Sequence, residues 1–332
     1  MKYLNLFGLG MCSLLLGCGS APLAEVATAP PATEDPATAS AVEGRELPSR
    51  FVGDRVFVTP MTEDGTELRF YTDSGGGFAC LIESAAERFS LPIETAEWMG
   101  QPTPLTRFPA FRDGAWIPRP NIHGDMVVVH EDCEMADVDG FLGQPWFADR
   151  VWAFDYPDQR LVLHERAPAG LPPAHTIPLG FPEDDEGERV RSFASMVFEV
   201  EGESFPMLLD TGATLRLTPE ALTELAESEG TIAASYIVAS VFERWREAHP
   251  EWRVIENADA NVNREPMIEV PEVDIAGHIV GPVWFTRRPD PNFHEWMSSM
   301  MDRRIDGALG GSAFRYFTMV IDYPAARATF LR

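Results

Sequence analysis

The stretch FPMLLDTGATLRLTPEAL, residues 205–222, decides how this chain is read. The run from Phe205 to Leu209 patterns as an apolar strand, stops on Asp210-Thr211-Gly212, and gives way to a helix start at Thr218-Pro219. A carboxylate gains nothing structural by ending an apolar strand, and buried without a partner it is costly. The segment LRFYTDSGGG, residues 68–77, ends a strand on Asp73-Ser74-Gly75 in nearly the same way.

The two stretches belong to an internal repeat. Gly65 stands eight residues before Asp73, and Gly202 stands eight before Asp210. A second pair of segments also matches, DGFLGQPWFADRVWAFDYPDQR from residue 139 and DGALGGSAFRYFTMVIDYPAAR from residue 306. Gly143 to Asp155 and Gly310 to Asp322 are both twelve residues, with Phe147 and Phe314 four after each Gly and Arg160 and Arg327 three after each Pro. Only the middles differ, the second being about thirty residues longer. The spacing therefore predicts a tandem duplication.

Each half reads as mostly β. Strands are expected over 56–61 and 68–72 around Asp64-Gly65, and over 195–200 and 205–209 around Gly202. Short helices are expected over 83–89 and 219–226, the second capped by Thr218. The segment YIVASVFERWREAH, with apolar residues at Ile237, Val241, Trp245 and Ala248, fits an amphipathic helix. Each half closes on a hairpin turning at Tyr-Pro.

At ordinary glycine usage, an Asp-Ser/Thr-Gly tripeptide is expected less than once in a chain of this length, so two at one place in a repeated unit are informative. Gly75 and Gly212 suit a tight turn, and the Ser74 and Thr211 hydroxyls can hydrogen-bond across an interface. If the turns face one another, Asp73 and Asp210 cannot both ionise easily and share one proton. One carboxylate can then deprotonate a water while the other protonates the carbonyl under attack, with no metal and no covalent intermediate.

On these residues both halves resemble retropepsin-like aspartyl protease domains, and the chain resembles bacterial two-domain members of that superfamily over roughly residues 50–332. The resemblance rests on Asp73-Ser74-Gly75, Asp210-Thr211-Gly212-Ala213, and the glycine elements Gly140-Phe141-Leu142-Gly143 and Gly307-Ala308-Leu309-Gly310. It implies an all-β fold of two closed units, six- to seven-stranded, related by a pseudo-twofold axis, with a substrate cleft between them and flap hairpins over it. Candidate flaps are FRDGAWIP, residues 111–118, and a part of 254–270. It also implies catalysis by Asp73 and Asp210, a peptide or protein substrate, no cofactor, and a monomer that is an internal pseudo-dimer. The first motif departs from the family in the polar Thr72 and the run Gly75-Gly76-Gly77.

The remaining features set the context. Residues 1–17, basic at Lys2 and then apolar, read as a signal peptide too short to span a bilayer. Leu15-Leu16-Gly17-Cys18 resembles a bacterial lipobox, which implies lipidation of Cys18 and an envelope location, in the outer membrane of a Gram-negative cell given Gly19. Residues 18–48, dominated by Ala, Pro and Thr, read as a tether, followed by domains over 49–168 and 169–332. Cys80 and Cys133 fit a disulfide or two buried thiols. A net charge of −26 argues against nucleic acid.

Ser74 as a serine nucleophile is excluded by order, since the first histidine is His123. The seven histidines show no metal-ligand spacing. The repeated Asp155 and Asp322 suit turns, and Trp116 and Trp284 suit core or cleft lining. The alternative function is a lipid-anchored binding or scaffold protein that keeps the fold without turnover.

Overall fold

A computed structural model describes residues 43–98, 100–120, 126–131 and 137–332. The expected signal peptide, the Cys18 lipidation site and most of the tether lie outside the described residues, as does Cys133. The structure is mostly β, with five short α-helices among the described residues, the longest being Ala239–Ala248.

Three large sheets organise the chain. An eight-stranded sheet runs, edge to edge, through Ser49–Val52, Arg55–Val58, Phe70–Thr72, Gly140–Leu142, Ala79–Ile82, Val127–His130, Gln101–Thr106 and Glu94–Trp98. A nine-stranded sheet runs through Val254–Ile255, Met267–Val270, Val283–Arg288, Ser235–Val238, Gly307–Leu309, Glu203–Leu209, Ser195–Val200, Val273–Ile275 and His278–Val280. The pairing around the two Asp turns is the same in both. Phe70–Thr72 lies parallel to Gly140–Leu142, and Glu203–Leu209 lies parallel to Gly307–Leu309. On the far side each glycine strand meets an antiparallel neighbour, Ala79–Ile82 or Ser235–Val238, which has its own parallel partner.

The third sheet joins the halves. Its six strands run Arg45–Glu46, Arg160–His164, Val151–Asp155, Thr318–Asp322, Arg327–Leu331 and Thr176–Pro178. The two central strands pair antiparallel, with Val151 opposite Asp322, Ala153 opposite Val320 and Asp155 opposite Thr318. The register is centred on Ala153 opposite Val320, so a local twofold axis relates the two strands there. Trp146, Phe147, Trp152, Phe154 and Tyr323 are buried together, Trp146 and Trp152 with ring centroids 4.4 Å apart. Their indole N–H groups donate to Pro118 O at 2.7 Å and Phe147 O at 2.9 Å, which lets two large polar-tipped rings sit in an apolar interior.

The closed unit expected for each half is corrected: both large sheets are open, because the closing hairpins pair with each other instead of returning to their own sheet. The tether also ends earlier than residue 48. Arg45 and Glu46 pair with Leu163 and Val162, and Leu47 is buried beside them.

Local readings hold where pattern and turn chemistry agree. Strands Ser195–Val200 and Glu203–Leu209 flank Gly202, and the helix Pro219–Leu225 is capped by Thr218 Oγ1 accepting from Ala221 N at 3.2 Å. The amphipathic segment divides: Ile237 belongs to the strand Ser235–Val238, and the helix buries Val241, Phe242 and Trp245. The flap candidate at 111–118 is corrected too. It is strapped down by Arg112 N to Met61 O at 2.8 Å and Met61 N to Ala115 O at 2.8 Å. The hairpin that projects is Glu94–Trp98 with Gln101–Thr106, which meets the rest of its sheet only through Leu105 and Thr106. In the second candidate stretch, Val254–Ile255 pairs with Met267–Val270 as an edge hairpin.

Candidate active site

Both Asp turns leave their sheets by the same hydrogen bond. Asp73 N–H donates to Leu142 O at 2.9 Å, and Asp210 N–H donates to Leu309 O at 2.9 Å. The parallel glycine strand thus fixes where each carboxylate emerges. Gly143 and Gly310 lie against the turns, whereas Gly140 and Gly307 begin those strands opposite Phe70 and Met207.

The turns meet. Ser74 Oγ accepts the Thr211 N–H at 2.9 Å and donates to Leu209 O at 2.8 Å, while Ser74 N–H donates to Thr211 Oγ1 at 3.2 Å. All of these groups are buried, so the hydroxyls satisfy backbone groups that would otherwise be orphaned. The brace sets the two turns against each other, so that each carboxyl lies against the glycine of the opposite turn. It also explains Gly75 and Gly212 differently from the sequence reading, which gave them a turn conformation. Neither has positive φ; a Cβ on Gly75 would stand 2.6 Å from the Asp210 Cγ, and one on Gly212 2.2 Å from the Asp73 Cγ. They are glycine so that each backbone can approach the opposite carboxyl.

The electrostatics of the pair are unequal. Burial, then the Asp210 charge and the hydrogen bond to it, hold the Asp73 carboxyl well above the usual carboxylate range; Gly75 and Gly76 N–H groups only partly oppose this. Burial also raises Asp210, opposed by its interaction with Asp73 and by the N–H groups of Gly212, Ala213 and Gly75. Both carboxyls are thus held above the ordinary range, and they titrate as a pair rather than singly. Asp210 Oδ1 accepts Gly212 N–H at 3.0 Å and Asp73 Oδ1 accepts Gly75 N–H at 2.8 Å, so both carboxyls are oriented from their own turns. Asp210 is 9 % exposed, and Asp73 is half-buried.

The departures in the first motif are accommodated. Thr72 is buried with its hydroxyl donating to Val56 O at 2.8 Å. Gly76 lies where a Cβ would strike the Phe141 ring at 2.3 Å, and only Gly77 has open space. Two features escaped the sequence reading. The Tyr71 hydroxyl crosses to the opposite turn and donates to Gly212 O at 2.7 Å, signalled only by a tyrosine at a position where the second half has Leu208. Asp54 forms an ion pair with Arg315 at 3.1 Å, joining the first hairpin to the second half.

A cavity of about 400 Å³ is lined by residues of both halves that include Phe51, Asp54, Leu215, Ala234, Trp284 and Glu269, and neither Asp73 nor Asp210 lines it. Ala234 N–H donates to Ala213 O at 2.8 Å, so the cavity wall is bonded to the turn. Trp284 therefore lines a cleft, whereas Trp116 is covered by the Arg45 guanidinium at 3.7 Å. Asp155 and Asp322 stand apart as turn supports, ion-paired with Arg160 at 2.6 Å and Arg327 at 3.1 Å. Cys80 is disulfide-bonded; the Cys133 end of the expected bridge lies outside the described residues. Among the described residues no cluster of three or more His, Cys, Asp or Glu is arranged to hold a metal ion.

No protein-family model matches this chain. No curated protein matches it either. Among solved structures, the aspartic proteinase from Irpex lacteus is similar at 10% sequence identity with a TM-score of 0.47, covering 86% of this chain and 96% of that one.

Proposed function

We propose that this chain is an aspartic endopeptidase in which Asp73 and Asp210 form one catalytic dyad. The observation that carries the reading is the meeting of the two turns: reciprocal Ser74–Thr211 hydrogen bonds set each carboxyl against the opposite turn, and both carboxyls are held above the ordinary range. A water between them loses a proton to Asp210 as its oxygen attacks the peptide carbonyl carbon, and Asp73 gives its proton to the carbonyl oxygen. The tetrahedral diol then collapses: Asp210 returns its proton to the departing nitrogen, Asp73 recovers one from a diol hydroxyl, and the C–N bond breaks. Sharing of one proton by a carboxylate pair is the known behaviour of aspartic proteases.

The repeated strand order, the reciprocal register about Ala153 and Val320, and the matched turns support two tandem retropepsin-like units in a bilobal, pseudo-twofold chain that works as a monomer. The lipobox-like end of the leader supports anchoring through Cys18 on the outer membrane, with the substrate a peptide or protein outside the cytoplasm.

The test is cleavage of a mixed peptide library from acidic to neutral pH by wild type, Asp73→Asn and Asp210→Asn. Loss of cleavage in each folded variant is the expected result. No turnover by wild type at any pH, with partner binding that survives both substitutions, would replace the enzyme with a binding protein.

A further inference from the structure

We infer that the cavity between the two halves binds a basic side chain, such as lysine, presented by a polypeptide; the inference does not rest on the dyad reading. One wall of the cavity is a face of the nine-stranded sheet. Met267 stands opposite Thr286 and Glu269 opposite Trp284, and because side chains alternate along a strand, all four share that face and line the cavity. Thr286 is 1 % exposed, and its hydroxyl has no hydrogen-bond partner. A buried hydroxyl left in this way is costly, and a ligand that bonds it removes the cost. Glu269 is half-buried in the same wall, and among the described residues its carboxylate accepts no hydrogen bond.

The register brings the polar groups within reach of one cation. Glu269 and Thr286 are diagonal neighbours on an antiparallel pair, where such positions lie about 7–8 Å apart, so an ammonium between them meets a carboxylate and a hydroxyl oxygen together. The Trp284 ring adds a face that attracts cations, and the Arg253 guanidinium already lies 5.4 Å from its centroid. Met267, Leu215 and Ala234 give an aliphatic stem apolar surface to lie along. The charges around the cavity select the same sign. Asp54 is paired with Arg315 at 3.1 Å, which leaves Glu269 and Glu227 facing Arg253 alone, and Arg253 is held outward by its bond to Glu224 O at 2.5 Å. A net charge of −26 draws basic partners toward the chain as a whole.

Part of the opposite wall belongs to the second half alone. The strand Ala79–Ile82 begins six positions after Asp73, whereas the strand that takes its place, Ser235–Val238, begins twenty-five after Asp210. The longer connection supplies Leu215 and Ala234, and the first half closes the cavity with Phe51 and Asp54. The pocket is therefore not one of a symmetric pair. Its volume of about 400 Å³ lies in the range of pockets that enclose whole small ligands, which leaves room for main chain beside the basic side chain.

The experiment is a titration of full-length protein carrying ¹³C-methyl methionine, read by NMR at Met267, whose signal Met267→Leu assigns. The probes are the capped peptide acetyl-Gly-Lys-Gly-amide, its norleucine and glutamate analogues, and n-butylamine. The lysine peptide moves the Met267 signal saturably, the norleucine and glutamate peptides leave it in place, and butylamine binds more weakly than the lysine peptide. Glu269→Gln weakens binding by about ten- to a hundredfold, the loss of one charge-assisted hydrogen bond. Thr286→Val keeps the shape, removes only the hydroxyl and weakens binding by about two- to tenfold; this arm carries the test should Glu269→Gln not fold. Arg253→Gln strengthens it, because a like charge is gone. Equal binding of the norleucine peptide, tighter binding of the glutamate peptide, or an unchanged affinity in Glu269→Gln and Thr286→Val would overturn the site. Butylamine binding as tightly as the lysine peptide would overturn the polypeptide as its occupant. The readout does not need turnover, so an inactive wild type that binds lysine removes the protease reading alone, and an active one that does not removes this site alone.

Discussion

Ser74 and Thr211 hold each other's backbone: the serine hydroxyl accepts the Thr211 N–H at 2.9 Å, and the threonine hydroxyl accepts the Ser74 N–H at 3.2 Å. The meeting of the two Asp turns is built on this exchange, because each hydroxyl belongs to the residue next to Asp73 or Asp210. We predict that Ser74→Ala destabilises the protein by about 1–3 kcal/mol, since it leaves the Thr211 N–H and the Leu209 carbonyl buried without a partner. Peptide cleavage should fall further than stability explains, as the carboxyls lose their fixed separation. Denaturant unfolding and kcat/KM on one purified variant check both, and an unchanged kcat/KM would separate the brace from catalysis.

The glycines next to the dyad give a steric test. We predict that Gly75→Ala and Gly212→Ala each cost about 1–3 kcal/mol or more and abolish cleavage, because the new Cβ collides with the opposite carboxyl at 2.6 Å or 2.2 Å. Gly77→Ala should be nearly silent, as nothing lies within 4 Å of its Cβ position and its φ is not positive. Thermal melts of the three variants decide it. A tolerated Gly212→Ala would mean that the carboxyls lie further apart than they do here.

The two Asp turns stood out in the sequence for a specific reason: two segments that match at fixed spacing carry their own internal control. Strands Ser195–Val200 and Glu203–Leu209 were legible because apolar pattern and turn glycine agreed. The projecting hairpin Glu94–Trp98 with Gln101–Thr106 was not, because Pro102 and Pro104 argue against a strand. Pairing with Val127–His130 reaches only Leu105 and Thr106, so both prolines sit where no ladder bond is needed on that side. The Tyr71 link and the Asp54–Arg315 ion pair were hidden for another reason, since each joins residues more than 130 positions apart and exists only once the halves dock.

The raised pKa of Asp73 makes stability depend on pH in a defined direction. The folded state holds this proton more tightly than the unfolded chain, whose aspartates titrate near the ordinary value. Between the unfolded and folded pKa values the native state binds the extra proton, so stability falls as pH rises through that window. We predict that Asp73→Asn, which cannot ionise, is more stable than wild type near neutral pH, and that the gain disappears below the ordinary carboxylate range. Urea midpoints measured across that range for the two proteins check the sign. A variant that is less stable at neutral pH would show that the Asp73 carboxylate is not under electrostatic strain.

The repeat contains a second pair of acids, and they should behave in the opposite way. Asp155 is 1 % exposed; it accepts from Thr318 Oγ1 of the other half at 3.0 Å and pairs with Arg160 at 2.6 Å. Its work is to tie the first closing hairpin to the second across the central sheet. We predict that Asp155→Asn costs about 1–3 kcal/mol, because the hydrogen bonds it loses are charge-assisted and buried. The folded fraction should retain wild-type kcat, since Asp155 shares no hydrogen bond with the dyad. Cleavage measured well below the melting temperature separates the two effects. A loss of kcat with unchanged stability would mean that the central sheet sets the carboxyl separation as directly as Ser74 and Thr211 do.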